Sequence, residues 1–163
     1  MAIEIERRFL VASGGWAARA EPSHSIRQAY LAATPDAAIR IRVIDDASAF
    51  LTIKSGKAGI ERAEFEYPIP VADAEELIEM RTGAIIEKRR HRFAADGGQW
   101  EIDVFGGELD GLVIAEIELE TQDRAFDRPE WLGKEITEDG RYSNASLALN
   151  GLPEAIAHRS RRP

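Results

Sequence analysis

The 163-residue chain contains no cysteine, which excludes a disulfide framework and any thiolate metal site and fits a reducing compartment. It has no apolar run approaching the ~18 residues of a membrane span. Its start, Met1-Ala2-Ile3-Glu4-Ile5-Glu6-Arg7-Arg8, puts charges where a signal peptide needs an apolar stretch. A glycine-rich dinucleotide fingerprint is missing, and Ser55-Gly56-Lys57 lacks the rest of a phosphate loop. Histidines are few: His24, His91 and His158 show no ligand spacing, so surface roles are expected. Trp16, Trp100 and Trp131 are expected to pack rather than to stack on bases. There is no repeat, no low-complexity tract and no Pro/Ser-rich linker, so one domain is expected. Basic residues are outnumbered, 21 against 29 acids, for a net charge of −8. That balance argues against a nucleic-acid coat protein or a polybasic membrane binder. A soluble cytoplasmic protein with no nucleic-acid or membrane partner is the expectation.

What the chain does have is alternation. Ile3 to Glu6, Ile26 to Leu31, Ile39 to Val43 and Leu51 to Lys54 repeat with period two, the mark of strands with one apolar and one polar face. Glu64 to Tyr67, Ile86 to Phe93, Trp100 to Val104 and Ile114 to Leu119 continue the series. Between them fall Pro35-Asp36, Asp45-Asp46, Ser55-Gly56, Asp96-Gly97-Gly98 and Gly106-Gly107, all turn formers. Eight strands joined mostly by short turns imply an antiparallel sheet or barrel, in an α+β chain with few helices. Asp73 is placed to cap a helix reaching Arg81, with Glu76 at the capping-box position, Leu77, Ile78 and Met80 as its apolar side and Gly83 past its end. A short helix over Asn144–Leu149 is stopped by Asn150-Gly151. A further helix is expected over Glu154–His158, before a basic tail of Arg159, Arg161 and Arg162.

The polar faces of these strands are sorted by charge. Glu4/Glu6, Glu64/Glu66, Glu101/Asp103 and Glu116/Glu118/Glu120 are acids two residues apart. Arg40/Arg42 and Lys88/Arg90/Arg92 are bases at the same spacing, and Lys54 sits on the polar face of its own strand. Residues two apart share a strand face with Cα atoms about 6.6 Å apart. Glutamates so placed can converge on a hard cation that takes oxygen ligands at about 2.1 Å, and arginine forks match phosphate oxygens. A wet sheet face also alternates, and surface pairs on it contribute little. Such a face is normally diluted with Thr, Ser, Gln and Asn, however, and like charges side by side are unfavourable without a counter-ion. A charged binding tunnel for a polyanion and its metal is the reading these residues favour.

At this point the residues resemble a known family. Glu4-Ile5-Glu6-Arg7-Arg8-Phe9-Leu10 is similar to the N-terminal ExExK motif of the CYTH superfamily, the triphosphate tunnel metalloenzymes. The likeness continues through Arg27 to Leu31, Ile39 to Arg42, Thr52 to Ser55, Glu64 to Glu66, Glu87 to Arg90, Glu101 to Phe105, Ala115 to Glu118 and Glu138 to Asn144. It covers residues 1–150 as one tunnel domain and leaves 151–163 as a C-terminal extension. The resemblance implies a closed eight-stranded antiparallel tunnel with helices packed outside. It implies Glu4, Glu6, Glu64, Asp103, Glu116 and Glu118 as ligands of Mg2+ or Mn2+, and Arg8, Arg40, Arg42, Lys54, Lys88 and Arg90 as phosphate-binding cations. Tyr30 stands where short bacterial members carry a tyrosine proposed as proton acceptor, and Arg8 joins it as a catalytic candidate. Two departures stand out. Arg8 replaces the motif lysine, and Gly140, Ser143 and Ser146 stand where short members often have lysines. The implied activity is hydrolysis of a linear triphosphate, with inorganic tripolyphosphate favoured. A non-catalytic polyphosphate or nucleotide binding module, an adenylate cyclase and a thiamine triphosphatase are the alternatives. Nothing in the sequence specifies an oligomeric state.

Overall fold

The computed structural model describes residues 2–19, 22–55 and 60–153; the helix expected over Glu154–His158 and the basic tail lie outside them. The strands are β1 (Ala2–Val11), β2 (His24–Ala33), β3 (Ala37–Ile44), β4 (Ser48–Ser55), β5 (Glu61–Ile69), β6 (Thr82–Ala95), β7 (Gly98–Phe105), β8 (Val113–Glu118) and β9 (Leu132–Glu135). Two helices, α1 (Val71–Glu79) and α2 (Asn144–Asn150), and the 3-10 turns Gly15–Arg19, Gly107–Leu109 and Gly140–Tyr142 complete the described elements.

Neighbouring strands run in the order β5-β4-β3-β2-β6-β7-β8-β1, and β1 also pairs with β5. Each pairing is antiparallel, so the eight strands expected from the alternation close into a barrel. Closure removes the unpaired edges that invite aggregation. The barrel is charged on its inside and apolar on its outside, so its core lies largely between the outer surface and what covers it. Ala29, Ile41, Val43 and Ala49 pack under Ala74 and Ile78 of α1. Phe9, Trp100, Ile102, Ala115 and Ile117 pack with Trp131 and the partly buried Phe126. Trp100 and Trp131 meet edge to face with centroids 5.1 Å apart, the packing role expected of them. A third cluster joins Tyr30, Ile86, Phe105 and Ile114 to Tyr142, Leu147 and Ala148. Ile86, Phe105 and Ile114 lie two residues from Lys88, Asp103 and Glu116, on the same strand faces. The 3-10 turn at 140–142 and α2 therefore pack against an apolar portion of the inward surface.

Three local differences from the sequence expectation have physical causes. Helix α1 starts at Val71 rather than at a cap on Asp73, with Pro70 in the N-cap position (φ −60°, ψ 141°) and no side-chain cap. Proline has no N–H to lose there, and its fixed φ favours the start of a helix. Its buried side is Ala74 and Ile78, whereas Met80 is 70% exposed, and Gly83 belongs to β6. Strand β9 lies outside the sequence expectation, because Leu132-Gly133-Lys134-Glu135 does not alternate. It forms because β5 pairs with β1 over residues 2–5, while Phe9 and Val11 pair with β9. A Cβ on Gly133 would stand 2.7 Å from the Leu10 carbonyl oxygen, so this close pairing requires glycine. No helix among the described residues is long and apolar enough to cross a membrane.

Candidate active site inside the barrel

The strands that carry acids are neighbours in space. β7, β8, β1 and β5 follow one another round the barrel, and so do β4, β3, β2 and β6. The first group carries Glu101, Asp103, Glu116, Glu118, Glu4, Glu6 and Glu64. The second carries Lys54, Arg40, Arg42, Lys88 and Arg90, with Gln28 and Tyr30 of β2 among them. Sequence order does not bring β1 beside β8 or β2 beside β6; the closed topology does. The result is an acidic wall and a cationic wall facing one cavity of about 360 Å³. Arg8 and Arg62 are basic exceptions on the acidic side.

Where the walls meet, the charges pair. Across β6 and β7, Arg90 is opposite Asp103 and Arg92 opposite Glu101. Arg90 grips Asp103 with two hydrogen bonds of 2.7 and 2.8 Å, and Arg92 reaches Glu101 at 2.8 Å. At the other junction Lys54 is opposite Glu64 and donates to Glu4 at 2.8 Å. Arg40 lies 4.0 Å from Glu66 and donates to Thr52. Within the acidic wall like meets like: Glu6 is opposite Glu118, and Glu101 opposite Glu116.

These neighbours set the protonation states. Burial raises Glu6, and Glu116 and Glu4 add to it, lifting its carboxyl to about 8 against the pull of Lys54 and Arg8. Glu64 and Glu118 are also raised, by burial first and then by neighbouring glutamates, against the pull of Lys54. Glu116 differs: burial would raise it, but Arg8, Arg90 and Lys88 outweigh burial and hold it at about 2. Asp103 is likewise buried, yet Arg90 and Lys88 keep it below the ordinary carboxylate range. On the cationic side, burial pushes Lys88 down to about 7, with Asp103 opposing and Arg90 and Arg42 assisting. Burial, Arg40 and Arg90 push Arg42 down to about 9, a value at which the guanidinium is still charged at neutral pH.

Of the residues singled out from the sequence, Glu4, Glu6, Arg8, Tyr30, Arg40, Arg42, Lys54, Glu64, Lys88, Arg90 and Glu116 all line the cavity. Arg8 donates from Nε to Glu116 Oε1 at 3.0 Å and from Nη2 to the Tyr142 carbonyl at 2.9 Å. Tyr30 is 5% exposed, with its ring in the apolar cluster on α2. Glu118 lies outside the cavity lining, in a shallow pocket with Gly98 and Gln99, within electrostatic range of Glu4, Glu101 and Glu64. Asp103 is not among the lining residues either: it is 1% exposed and closed off by Lys88 and Arg90 at 2.8 and 2.7 Å. Residues given no site role from the sequence also line the cavity, among them Arg62, Thr52, Ser143 and Asn144. Arg62 could have been found, since it lies two positions before Glu64 and so shares its strand face. Asn144 closes the Glu138 to Asn144 stretch of the family likeness, but a lone asparagine at a helix start carries no site role of its own.

The acidic wall fits a divalent cation. Among the described residues no three acidic or histidine side chains already converge on one point, but all the donors there are carboxylate oxygens, as a hard cation requires. The Glu6 carboxylate has no hydrogen bond or ion pair with a described side chain, and its raised carboxyl reflects burial first and then the charge of Glu116 and Glu4, which Lys54 and Arg8 only partly offset. Magnesium keeps several waters and needs one or two carboxylates, which this wall supplies, plus substrate phosphate.

The CYTH domain model matches residues 2–150. The chain is 42% identical over 151 residues to an inorganic triphosphatase of Acetivibrio thermocellus, covering 92% of this chain and 96% of that one. It is 40% identical over 152 residues to an inorganic triphosphatase of Nitrosomonas europaea, covering 90% and 97%. A crystal structure of an inorganic triphosphatase superposes with a TM-score of 0.65 at 37% identity, over 94% of this chain and 98% of that one. With a barrel whose inner surface is divided between carboxylates and cations, and with relatives matched end to end, the chain belongs to the CYTH domain family.

Proposed function

We propose that this protein hydrolyses a linear triphosphate, inorganic tripolyphosphate in the first place, inside the barrel and with a divalent cation. The observation that carries the reading is the cavity of about 360 Å³ with an acidic wall facing a cationic one. A chain of three phosphates needs both. Arg40, Arg42, Lys54, Lys88 and Arg90 would bind its oxygens through charge-assisted hydrogen bonds. Arg62, whose buried Nε has no hydrogen-bond partner among the described residues, is a further donor for the same purpose. Arg40 Nε is in the same state.

Glu4, Glu6, Glu64, Glu116 and Glu118 would hold Mg2+ or Mn2+, which neutralises charge on the phosphoryl group under attack when bound. Asp103 acts instead as the counter-ion that keeps Lys88 and Arg90 in place; binding a metal would require it to release both. Arg8 stays protonated at any working pH, so it cannot remove a proton. Held by Glu116 and the Tyr142 carbonyl, it orients a phosphate oxygen. Proton removal falls to Tyr30, which lines the cavity. The identity of the named relatives supports tripolyphosphate over nucleotides.

The test is phosphate release from tripolyphosphate, ATP and thiamine triphosphate, each with magnesium, manganese or a chelator. Release from tripolyphosphate that stops in the chelator is expected. Undiminished release in the chelator would refute the metal assignment, and no release with either metal would refute the enzyme.

A further inference from the structure

Four cations of the cavity, Arg8, Lys54, Lys88 and Arg90, each face a carboxylate at 3.0 Å or less. Arg42 does not: its Nε donates to Gln28 Oε1 at 3.0 Å. Gln28 is fully buried, and its Nε2 donates in turn to Asn144 Oδ1 at 2.8 Å. The same Oδ1 accepts from Lys88 Nζ at 3.1 Å. Arginine and lysine are donors without acceptor capacity, so both amide orientations follow from the cations at the two ends of the chain.

We propose that Asn144 is a positioning residue that aims Lys88 directly, and Arg42 through Gln28, at the substrate phosphates. This inference rests on the triphosphate reading above. A carboxylate at position 144 would hold these cations more tightly, but it would cancel the charge that the phosphates need. An amide oxygen fixes direction and leaves the charge. Lys88 already has the Asp103 carboxylate as its counter-ion at 2.8 Å, so a neutral second acceptor fixes its direction without cancelling further charge, and in a buried site that hydrogen bond counts for more than it would in water.

The rest of the fold keeps Asn144 in register. Ser143 Oγ caps α2 by accepting from the Ser146 amide at 3.1 Å. Leu147 and Ala148 bury the helix against the barrel. Gly83 of β6 lets it approach: a Cβ there would lie 2.6 Å from the Ala148 carbonyl oxygen, and its φ of +75° disfavours any other residue. Asn144 thus enters the cavity from an anchored helix.

The experiment measures KM and kcat for tripolyphosphate with magnesium, together with thermal melting, for the parent, Asn144→Ala, Asn144→Asp, Gln28→Ala and the double variant Gln28→Ala/Asn144→Ala. Asn144→Asp keeps size and acceptor and is expected to melt like the parent while raising KM at least about tenfold. Asn144→Ala is expected to do the same in the parent background. In the Gln28→Ala background its effect shrinks, because the Lys88 contact alone is left to lose. An Asp variant with parental kinetics, or Ala effects that simply multiply, would overturn the inference. If Asn144→Ala fails to fold, the Asp variant decides. A parent inert towards every triphosphate overturns the functional reading and this inference together; an active parent with unaffected variants overturns this inference alone.

Discussion

Glu6 is where the structure makes its most direct thermodynamic statement. Its carboxyl is lifted from an ordinary 4.5 to about 8 by burial, by Glu116 and by Glu4, against Lys54 and Arg8. Between those two values the folded metal-free chain holds a proton that the unfolded chain has released. Stability therefore falls as pH rises through this window. At 1.36 kcal/mol per pH unit the ceiling is roughly 5 kcal/mol, and water entering the cavity reduces the realised loss to a few kcal/mol. Glu6→Gln removes the titrating group and keeps the shape. Urea unfolding in a chelator at pH 5 and pH 8 should show the parent losing on the order of 2 kcal/mol more than the variant across that interval. Differencing against the variant matters, because Lys88 and His91 are both lowered and each contributes stability that rises with pH. Added magnesium should restore the parent at pH 8 and act weakly at pH 5, since the ionised carboxylate is the form that binds metal. Equal pH dependence in parent and variant would refute the raised Glu6 carboxyl. Equal magnesium response at both pH values would remove Glu6 from the ligand set.

Arg62→Gln should raise KM for tripolyphosphate about tenfold with little change in melting temperature; a parental KM would put this side chain outside the substrate's reach. Asp103→Asn should cost about 3–5 kcal/mol in urea unfolding, because it leaves Lys88 and Arg90 as buried cations without their counter-ion. The same carboxylate, depressed in the folded state, stabilises the parent above about pH 4; that contribution should disappear on further acidification in the parent and be absent from the variant. Arg8→Lys should keep most of the turnover and Arg8→Ala lose most of it, as read by phosphate release. A matching rate for Arg8→Ala would place Arg8 outside the chemistry.

Much of the barrel was legible because its signal is local. Period-two alternation identifies strands without any knowledge of partners, and each of the eight barrel strands carried it. β9 did not, since its four residues form a strand only through the edge that β1 leaves open beyond β5. The start of α1 was misplaced for a related reason. Asp73 and Glu76 satisfy a capping pattern, yet the buried seam through Ala74 and Ile78 and the fixed φ of Pro70 put the first turn earlier. Tertiary packing overrode the local signal.

The candidate site divides along the same line. Residues whose side chains reach the cavity from a regular strand can be read by parity, so Glu4, Glu6, Arg40, Arg42 and Lys88 follow from spacing and resemblance alone. Parity says which face a residue takes but not how deep it lies, nor what lies opposite. Asp103 shares its face with Glu101, yet Lys88 and Arg90 enclose it behind the cavity wall. Asn144 arrives from a helix far along the chain, and no pattern in the strands announces it.

Placing Glu6 opposite Glu118, and Glu101 opposite Glu116, puts like charges where a sheet would be more stable with opposite or apolar pairs. An apolar barrel of the same topology would avoid that cost. The chain instead concentrates its compensation at the two junctions, where Arg90, Arg92 and Lys54 meet carboxylates, and at the Arg8–Glu116 pair, and leaves other charges of each wall unbalanced. The Glu6 carboxylate without a partner and Arg40 and Arg62 with buried unpaired Nε atoms are the residue of that choice. The acidic wall and the cationic wall are left facing one cavity. A cation bound to the first and a polyanion bound to the second would neutralise both at once, and would attract one another while doing so. The instability of the empty barrel and the affinity of the filled one are then the same free energy seen from two sides, which is the arrangement expected when local rules are broken at a functional site.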